Sequence, residues 1–190
     1  SKHFISGPVM PDFAIVFAVT GMDETERGRR KRVTAFLVDV GTEGFDISEG
    51  TRSVSYRGYL TFQLSFSDVK IGPDQILGEE GRGLELSGKW LSMNRIWVGA
   101  SCCGKAERLF NLAAEWAATR KQFGQPIGKF QATGFKLADI AVELKAADLL
   151  VMDAVAKGDQ GKLTDSDAAM VKLFCSEMLN RAADHSVQIY

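Results

Sequence analysis

Residues 119–131, "TRKQFGQPIGKFQ", carry the side chains of this sequence that are best suited to holding a ligand, and we call them the grip loop. Arg120 offers a planar guanidinium that can bond two phosphate oxygens at once, and Lys121 adds a second positive charge. Phe123 can lie against a flat ring, and Gly124 lets the backbone come close to a ligand. Two amides could bond a sugar or the edge of a base, namely Gln122 and Gln131. Judged from residue types alone, the loop is either a grip for a nucleotide with a diphosphate or an ordinary polar connection between helices.

Two other motifs invite a functional interpretation, and both have a simpler structural one. The segment 26–32, "ERGRRKR", could bind nucleic acid, but acids precede it and apolar strands flank it, so it is predicted to be a solvated hairpin tip. The segment 78–83, "GEEGRG", lacks the spacing of a dinucleotide loop. It is predicted to be a glycine-rich approach to a helix.

Composition excludes several classes of protein. The net charge of −1 argues against a nucleic-acid partner, and no apolar run is long enough to span a membrane. Two histidines, His3 and His185, and three cysteines leave little for a nucleophile–base pair or a metal site. A reducing, intracellular compartment fits best.

The elements that must position the grip loop change in character along the chain. Segments 13–20, 33–40 and 59–69 alternate like strands with no helix between them, which predicts an antiparallel sheet in a small barrel or sandwich. Glycine-punctuated connections are expected at 41–47 and 70–83. From Leu84 the period becomes helical, and the pattern predicts three long antiparallel helices, the last capped by Thr164.

The fold class is therefore α+β, an antiparallel β-module followed by an antiparallel helical bundle. We place the boundary between residues 80 and 81, giving domains 1–80 and 81–190. The first residues already resemble a strand and the last ones are still helical, so we expect both domains to be incomplete and the chain to be a piece of a larger protein.

The order of four segments resembles the acyl-CoA dehydrogenase family. The grip loop and the helix after it resemble the family pattern Arg-Lys-x-Phe-Gly-x-x-(Ile/Leu)-x-x-x-Gln followed by Leu-Ala-Asp. "FSDVKIGPDQILGEEGRGL" resembles the link from the family's β-domain into its C-terminal helical domain. "FISG" is similar to its flavin-facing strand, and "HSVQIY" to the start of its Val-Gln segment. The resemblance covers nearly the whole chain.

The resemblance implies the middle β-domain and the first helices of the C-terminal bundle, with FAD as the cofactor. In this family FAD lies between subunits, and the grip loop reaches the neighbour's cofactor. Arg120 would then meet the FAD diphosphate, and Phe4 and Ser6 would border the isoalloxazine ring. The remaining contacts, to the adenosine part, would come from Gln122, Phe123, Ile127, Gln131 and Gln188.

Some positions depart from the family pattern. Phe4 replaces the usual Trp, and Phe130 stands where His is common. Asn94 occupies the position at which a minority of the family carries the catalytic Glu, and an amide cannot accept the proton. No catalytic residue is therefore assigned within this chain. Asn94 and Arg95 are predicted to border the substrate, although Arg95 could equally be a helix-surface cation.

The resemblance implies an FAD-dependent oxidoreductase that oxidises the Cα–Cβ bond of an acyl-CoA thioester. An oxidase or reductase of the same fold, or an FAD-containing protein with a binding or regulatory role, stays open as an alternative. The implied partners are an acyl-CoA substrate, electron-transfer flavoprotein or a similar acceptor, and further copies in a homodimer or homotetramer. The expected location is the cytoplasm, or the mitochondrial matrix in a eukaryote.

Overall fold

The computed structural model describes residues 1–26, 28–54 and 57–190, and it divides into two compact units. The first unit, Ser1–Gly88, is built mainly of strands, and the second, Lys89–Tyr190, is built mainly of helices. The domain boundary at 80/81 stays a prediction. Arg27, one cation of the 26–32 motif, lies outside the described residues.

In its described residues, the first unit holds five strands in two antiparallel sheets. They are β1 (Lys2–Gly7), β2 (Phe13–Thr25), β3 (Gly28–Asp39), β4 (Phe45–Glu49) and β5 (Leu60–Phe66). One sheet has the order β1-β5-β4, and the other pairs β2 with β3. Buried side chains from both sheets form one core: Ala14, Val16, Val38, Phe45, Phe62 and Leu64. This packing confirms the predicted α+β class, with a sandwich as its β-part.

Strand β5 shows the predicted alternation. Phe62 and Leu64 are only 3% and 2% exposed, whereas Gln63 between them faces the other way and is half-buried. Strand β4 was not expected, because segment 41–47 was predicted to be a connection. Phe45 nevertheless pairs with Phe66 of β5, and their rings stack with centroids 4.9 Å apart. This pairing across the sheet is what makes so short a segment a strand.

The β2–β3 ribbon extends further than predicted. Arg29 and Arg32 lie on β3, not in a hairpin tip, so that part of the expectation for 26–32 was wrong. Opposite charges across the ribbon explain the extension: Arg29 Nε lies 3.1 Å from Glu24, and Arg32 lies 3.8 Å from Asp23. All these side chains are solvent-exposed, as expected.

Three helices follow: α1 (Gly83–Thr119), α2 (Gln131–Asp159) and α3 (Asp165–Ile189). Within the second unit they alternate in direction, as predicted. Arg181 on α3 bonds Glu143 on α2 at 2.9 Å, and Lys157 near the end of α2 bonds Asp167 at the start of α3. Among the described residues, no helix is long and apolar enough to cross a membrane.

Small side chains let the three helices approach one another. A Cβ on Gly99 of α1 would lie 2.4 Å from Val171 of α3 and 3.6 Å from Val151 of α2. One turn later, Cys103 of α1 meets Cys175 of α3 with their sulfurs 4.0 Å apart. Helix α3 begins as predicted: the hydroxyl of its N-cap Thr164 accepts a hydrogen bond from the backbone N–H of Asp167 at 3.1 Å.

Candidate cofactor and substrate sites

The grip loop contains a small β-hairpin that was not predicted. Strands β6 (Lys121–Gln122) and β7 (Gln125–Pro126) pair around the turn Phe123–Gly124. Both turn residues have positive φ, 51° at Phe123 and 81° at Gly124, which is the geometry of a type I′ turn. Such turns favour Asn-Gly, and a phenylalanine in the left-handed region costs about 1–2 kcal/mol. The turn therefore holds the Phe123 ring in solvent, 93% exposed, at a conformational cost.

The main chain of Arg120 is held on both sides. Its N–H donates to the Trp116 carbonyl at 2.8 Å, and its own carbonyl accepts the N–H of Ile127 at 2.8 Å. The side chain is exposed and pairs with no carboxylate in the described part of the chain. A guanidinium on a fixed backbone without a protein counter-ion suits an anionic ligand.

A small apolar cluster supports the base of the loop. Ile127, Trp116 and Leu137 pack against three buried residues: Ala113, Ala117 and Ile189. Gly128 lies so close to α1 that a Cβ there would be 3.0 Å from the Ala117 carbonyl oxygen. Because Ile189 belongs to this cluster, the end of α3 lies beside the loop.

The structure brings several predicted contacts together at this place. Ile127 is in the cluster, Gln131 is the first residue of α2, and Gln188 precedes Ile189 on α3. The predicted contacts whose side chains are exposed around the loop are Arg120, Gln122, Phe123, Gln131 and Gln188. Phe130, which stands where the family often has His, packs its ring edge-on to Phe123 with centroids 6.2 Å apart. Together the exposed predicted contacts offer one positive charge, three amides and an aromatic face.

Sequence reasoning missed two aromatic residues of this site. Trp116 and Tyr190 stack with centroids 5.0 Å apart and planes 10° from parallel, and the Arg120 guanidinium carbon lies 6.0 Å from the Trp116 ring centre. The indole nitrogen of Trp116 is buried without a hydrogen-bond partner among the described residues. A tryptophan one turn before the arginine was the available signal, since residues i and i+4 share a helix face.

Asn94 and Arg95 are not part of the grip-loop site. They lie on α1, where Arg95 precedes Arg120 by 25 positions, or about 37 Å along a helix rising 1.5 Å per residue. Both side chains are half-buried. Close by, the buried Ser92 hydroxyl donates to the Asp165 carboxylate at the start of α3.

Phe4 and Ser6 lie on β1 in the first unit. Lys2 pairs with Leu64 and Ile5 with Phe62, so two residues of β1, His3 and Phe4, face a single residue of β5. This irregularity is a β-bulge, and it places Phe4 at φ 58° with its ring 79% exposed. The Ser6 hydroxyl points back to the Phe4 carbonyl at 3.4 Å. The bulge therefore leaves the aromatic ring of Phe4 exposed on the first unit.

The ionisable groups with perturbed pKa values lie away from these sites. Hydrogen bonds from Lys157 and Thr164 lower the pKa of Asp167 to about 2. Burial, followed by the neighbouring Cys175, raises the pKa of the Cys103 thiol well above its usual range. Among the described residues, no cluster of three His, Cys, Asp or Glu side chains could hold a metal ion. The candidate sites therefore offer side chains that can bind an anion and an aromatic ring.

Known proteins that are similar to this chain point to one family. Residues 81–190 match the family profile described as acyl-CoA dehydrogenase, C-terminal domain. The chain is 37% identical over 190 residues to the short-chain specific acyl-CoA dehydrogenase of Megasphaera elsdenii, covering 100% of this chain and 49% of that protein. It is also 37% identical over 189 residues to the 3-(aryl)acrylate reductase of Clostridium sporogenes, covering 100% of this chain and 49% of that one.

A solved structure, that of PigA with FAD and proline, superposes with a TM-score of 0.90 at 29% identity, covering 99% of this chain and 48% of that one. The chain thus spans about half the length of the curated relatives it matches. The family profile alone covers more than half of the chain, so the resemblance noted in the sequence is confirmed. The chain belongs to the acyl-CoA dehydrogenase family.

Proposed function

We propose that this chain is part of an FAD-dependent acyl-CoA dehydrogenase, in which the grip loop holds the diphosphate of the cofactor. One observation carries the proposal: Arg120 has a fixed backbone, an exposed guanidinium and no carboxylate partner among the described residues. Family membership, with about half of each relative matched, supports the activity of the whole protein.

The residues present suit FAD. A diphosphate needs a planar cation, which Arg120 supplies, and an adenine or ribose needs amides and an apolar face, which Gln122, Gln131 and Phe123 supply. In the first unit, the bulged Phe4 offers an apolar wall for a flavin ring, and Ser6 a hydroxyl beside it.

When bound, FAD supplies a two-electron acceptor for oxidation of the Cα–Cβ bond of an acyl-CoA thioester. Arg120 would orient the cofactor through charge-assisted hydrogen bonds to its phosphates, and Phe123 would shield it from water. Asn94 and Arg95 would border the acyl thioester from α1. Because an amide cannot take up the α-proton, Asn94 would position substrate without acting as the base, and no residue of this chain is assigned that role.

Removal of the Arg120 guanidinium tests the loop assignment. In the full-length protein, Arg120→Ala should weaken FAD binding about tenfold to a hundredfold, the loss expected for a charge-assisted hydrogen bond. Arg108→Ala is the matched control, since Arg108 is an exposed arginine on α1, the helix that ends directly before Arg120. Unchanged flavin retention in Arg120→Ala would sink the assignment. Anaerobic addition of an acyl-CoA should bleach the flavin, and a cofactor that stays oxidised would favour a binding or regulatory role.

A reductase is the second candidate, because the aryl-acrylate reductase is as similar to this chain as the short-chain dehydrogenase is. Reoxidation of the pre-reduced flavin by an enoyl thioester, without bleaching by the saturated thioester, would favour it. Electron-transfer flavoprotein as acceptor, a homodimer or homotetramer, and a cytoplasmic or mitochondrial-matrix location belong to the same proposal.

A further inference from the structure

Trp116 occupies the last turn of α1, directly before the arginine that we propose holds the cofactor. Its carbonyl accepts the Arg120 N–H at 2.8 Å, and its ring centre lies 6.0 Å from the Arg120 guanidinium carbon. That separation is at the outer limit of a cation–π contact, for which the indole is the best aromatic partner. Trp116 therefore contacts Arg120 through both its backbone and its side chain.

The indole is itself held in place. Tyr190 stacks on it with centroids 5.0 Å apart, and the surrounding cluster includes Ala113, Ala117 and Ile189. Neighbouring residues of α1 and the end of α3 thus pack around the ring, which gives the exposed guanidinium of Arg120 a packed surface to lie on. An arginine side chain loses much rotamer freedom when it binds, and preorganisation on such a surface reduces that loss.

Packing alone does not account for a tryptophan here. The indole N–H is buried without a partner among the described residues, which is unfavourable. A phenylalanine would fill most of the same space and bury no polar atom. What the indole adds over a phenylalanine is the more strongly attractive face for a cation.

We propose that Trp116 is a positioning residue: its ring holds the Arg120 guanidinium in the orientation that binds the cofactor's diphosphate. This inference rests on the proposed function, because it gives Trp116 a role only through Arg120. It adds a determinant of cofactor affinity that lies on the helix and outside the polar side chains of the loop.

A double-mutant cycle on the full-length protein separates positioning from packing. FAD dissociation constants would be measured by flavin fluorescence for Trp116→Phe and Trp116→Leu, each with Arg120 and with Arg120→Ala. With Arg120 present, affinity should fall in the order Trp, Phe, Leu, and the leucine variant should bind about two- to fivefold more weakly. With Arg120→Ala, the three residues at position 116 should bind FAD equally, because nothing remains to be positioned.

The controls make each outcome decisive. A loss of packing weakens binding in both backgrounds and cancels in the cycle, so equal losses with and without Arg120 would overturn the inference while leaving the grip loop intact. An unchanged affinity in Arg120→Ala alone would instead overturn the proposed function. Trp90→Phe makes the same chemical change on α1 about seven turns away and should leave affinity unchanged. Trp116→Phe, the milder variant, keeps the test valid if the leucine variant fails to fold.

Discussion

The hydroxyl of Ser92 on α1 donates a hydrogen bond to the carboxylate of Asp165, the first residue of α3. Ser92 is buried, and the two residues lie 73 positions apart in the sequence. Further along the same two helices, Cys103 meets Cys175 with an offset of 72 positions. The polar contact at the helix start and the sulfur contact in the middle therefore specify one register between parallel helices.

Ser92→Ala should destabilise the helical unit. The substitution removes a hydrogen bond to a charged group, and we expect a loss of about 1–2 kcal/mol in the free energy of unfolding, measured with urea. Ser176→Ala is the control, since the Ser176 hydroxyl donates to the Leu173 carbonyl of its own helix. This substitution should change the free energy of unfolding by less than about 0.5 kcal/mol. Equal effects of the two changes would argue against a role of Ser92 in the register.

Replacing Gly99 and Gly104 by alanine should change the free energy of unfolding in opposite directions. At Gly99 the new Cβ would lie 2.4 Å from Cγ1 of Val171, whose branched side chain cannot turn away, so we expect a loss of about 1–3 kcal/mol. At Gly104 no atom lies within 4 Å of the new Cβ, and the better helix propensity of alanine should stabilise by up to about 1 kcal/mol. Thermal unfolding of both variants measures the contrast. A stabilised Gly99→Ala would show that the helices are more loosely packed.

Because of Asp167, the stability of the fold should fall with pH in the acid range. Hydrogen bonds from Lys157 and Thr164 lower its pKa from the ordinary 3.8 to about 2, so the folded state favours the ionised carboxylate. The resulting stabilisation is complete above the ordinary pKa and is lost as the pH falls from 3.8 towards 2. Asp167→Asn should therefore lower the Tm at pH 7.

The difference in Tm between wild type and Asp167→Asn should then close as the pH approaches 2. It should also shrink in high salt, because Lys157 is partly exposed. A difference that stays constant between pH 7 and pH 2 would contradict the assigned role of the ion pair.

The fold was predictable where a pattern is long and local. The alternation from Leu60 to Phe66 and the helical period after Leu84 are visible in the residues themselves, and Thr164 is a recognisable cap. Strand β4 was not predictable, because it has only two apolar residues, Phe45 and Ile47, and depends on pairing with β5. Long-range pairing of that kind leaves little trace in a short segment.

Only part of the candidate site was predicted, because only part of it is contiguous in the sequence. Arg120 and its neighbours on the grip loop are contiguous, so their residue types alone suggested a ligand. The support beneath them was missed, because Tyr190 lies far from Trp116 in the sequence and meets it only after α3 packs beside the loop. The hairpin was missed because Phe-Gly is not a preferred type I′ turn pair.

Phe123→Asn should separate the shape of the loop from its binding. Asparagine tolerates positive φ, so the turn itself should form at least as readily as with phenylalanine. If the exposed ring covers the cofactor, the full-length protein should nevertheless bind FAD several-fold more weakly, by about 1 kcal/mol for one aromatic contact. Titration with FAD measures this effect, with Phe135→Asn as a control at an exposed phenylalanine within α2. Undiminished affinity in Phe123→Asn would remove the ring from the site.

Helix α1 is a single uninterrupted rod of 37 residues, about 55 Å in length. Arg95 lies in the first half of that helix and Arg120 directly follows its last residue, so no bend in α1 brings the two arginines to one small molecule. Under the proposed function, each chain would then complete two reaction centres, lending Arg120 to one and Arg95 to the other. Mixed assemblies of an Arg95→Ala chain and an Arg120→Ala chain would contain some centres with both arginines intact, and activity regained on mixing two disabled parents would be the mark of that sharing.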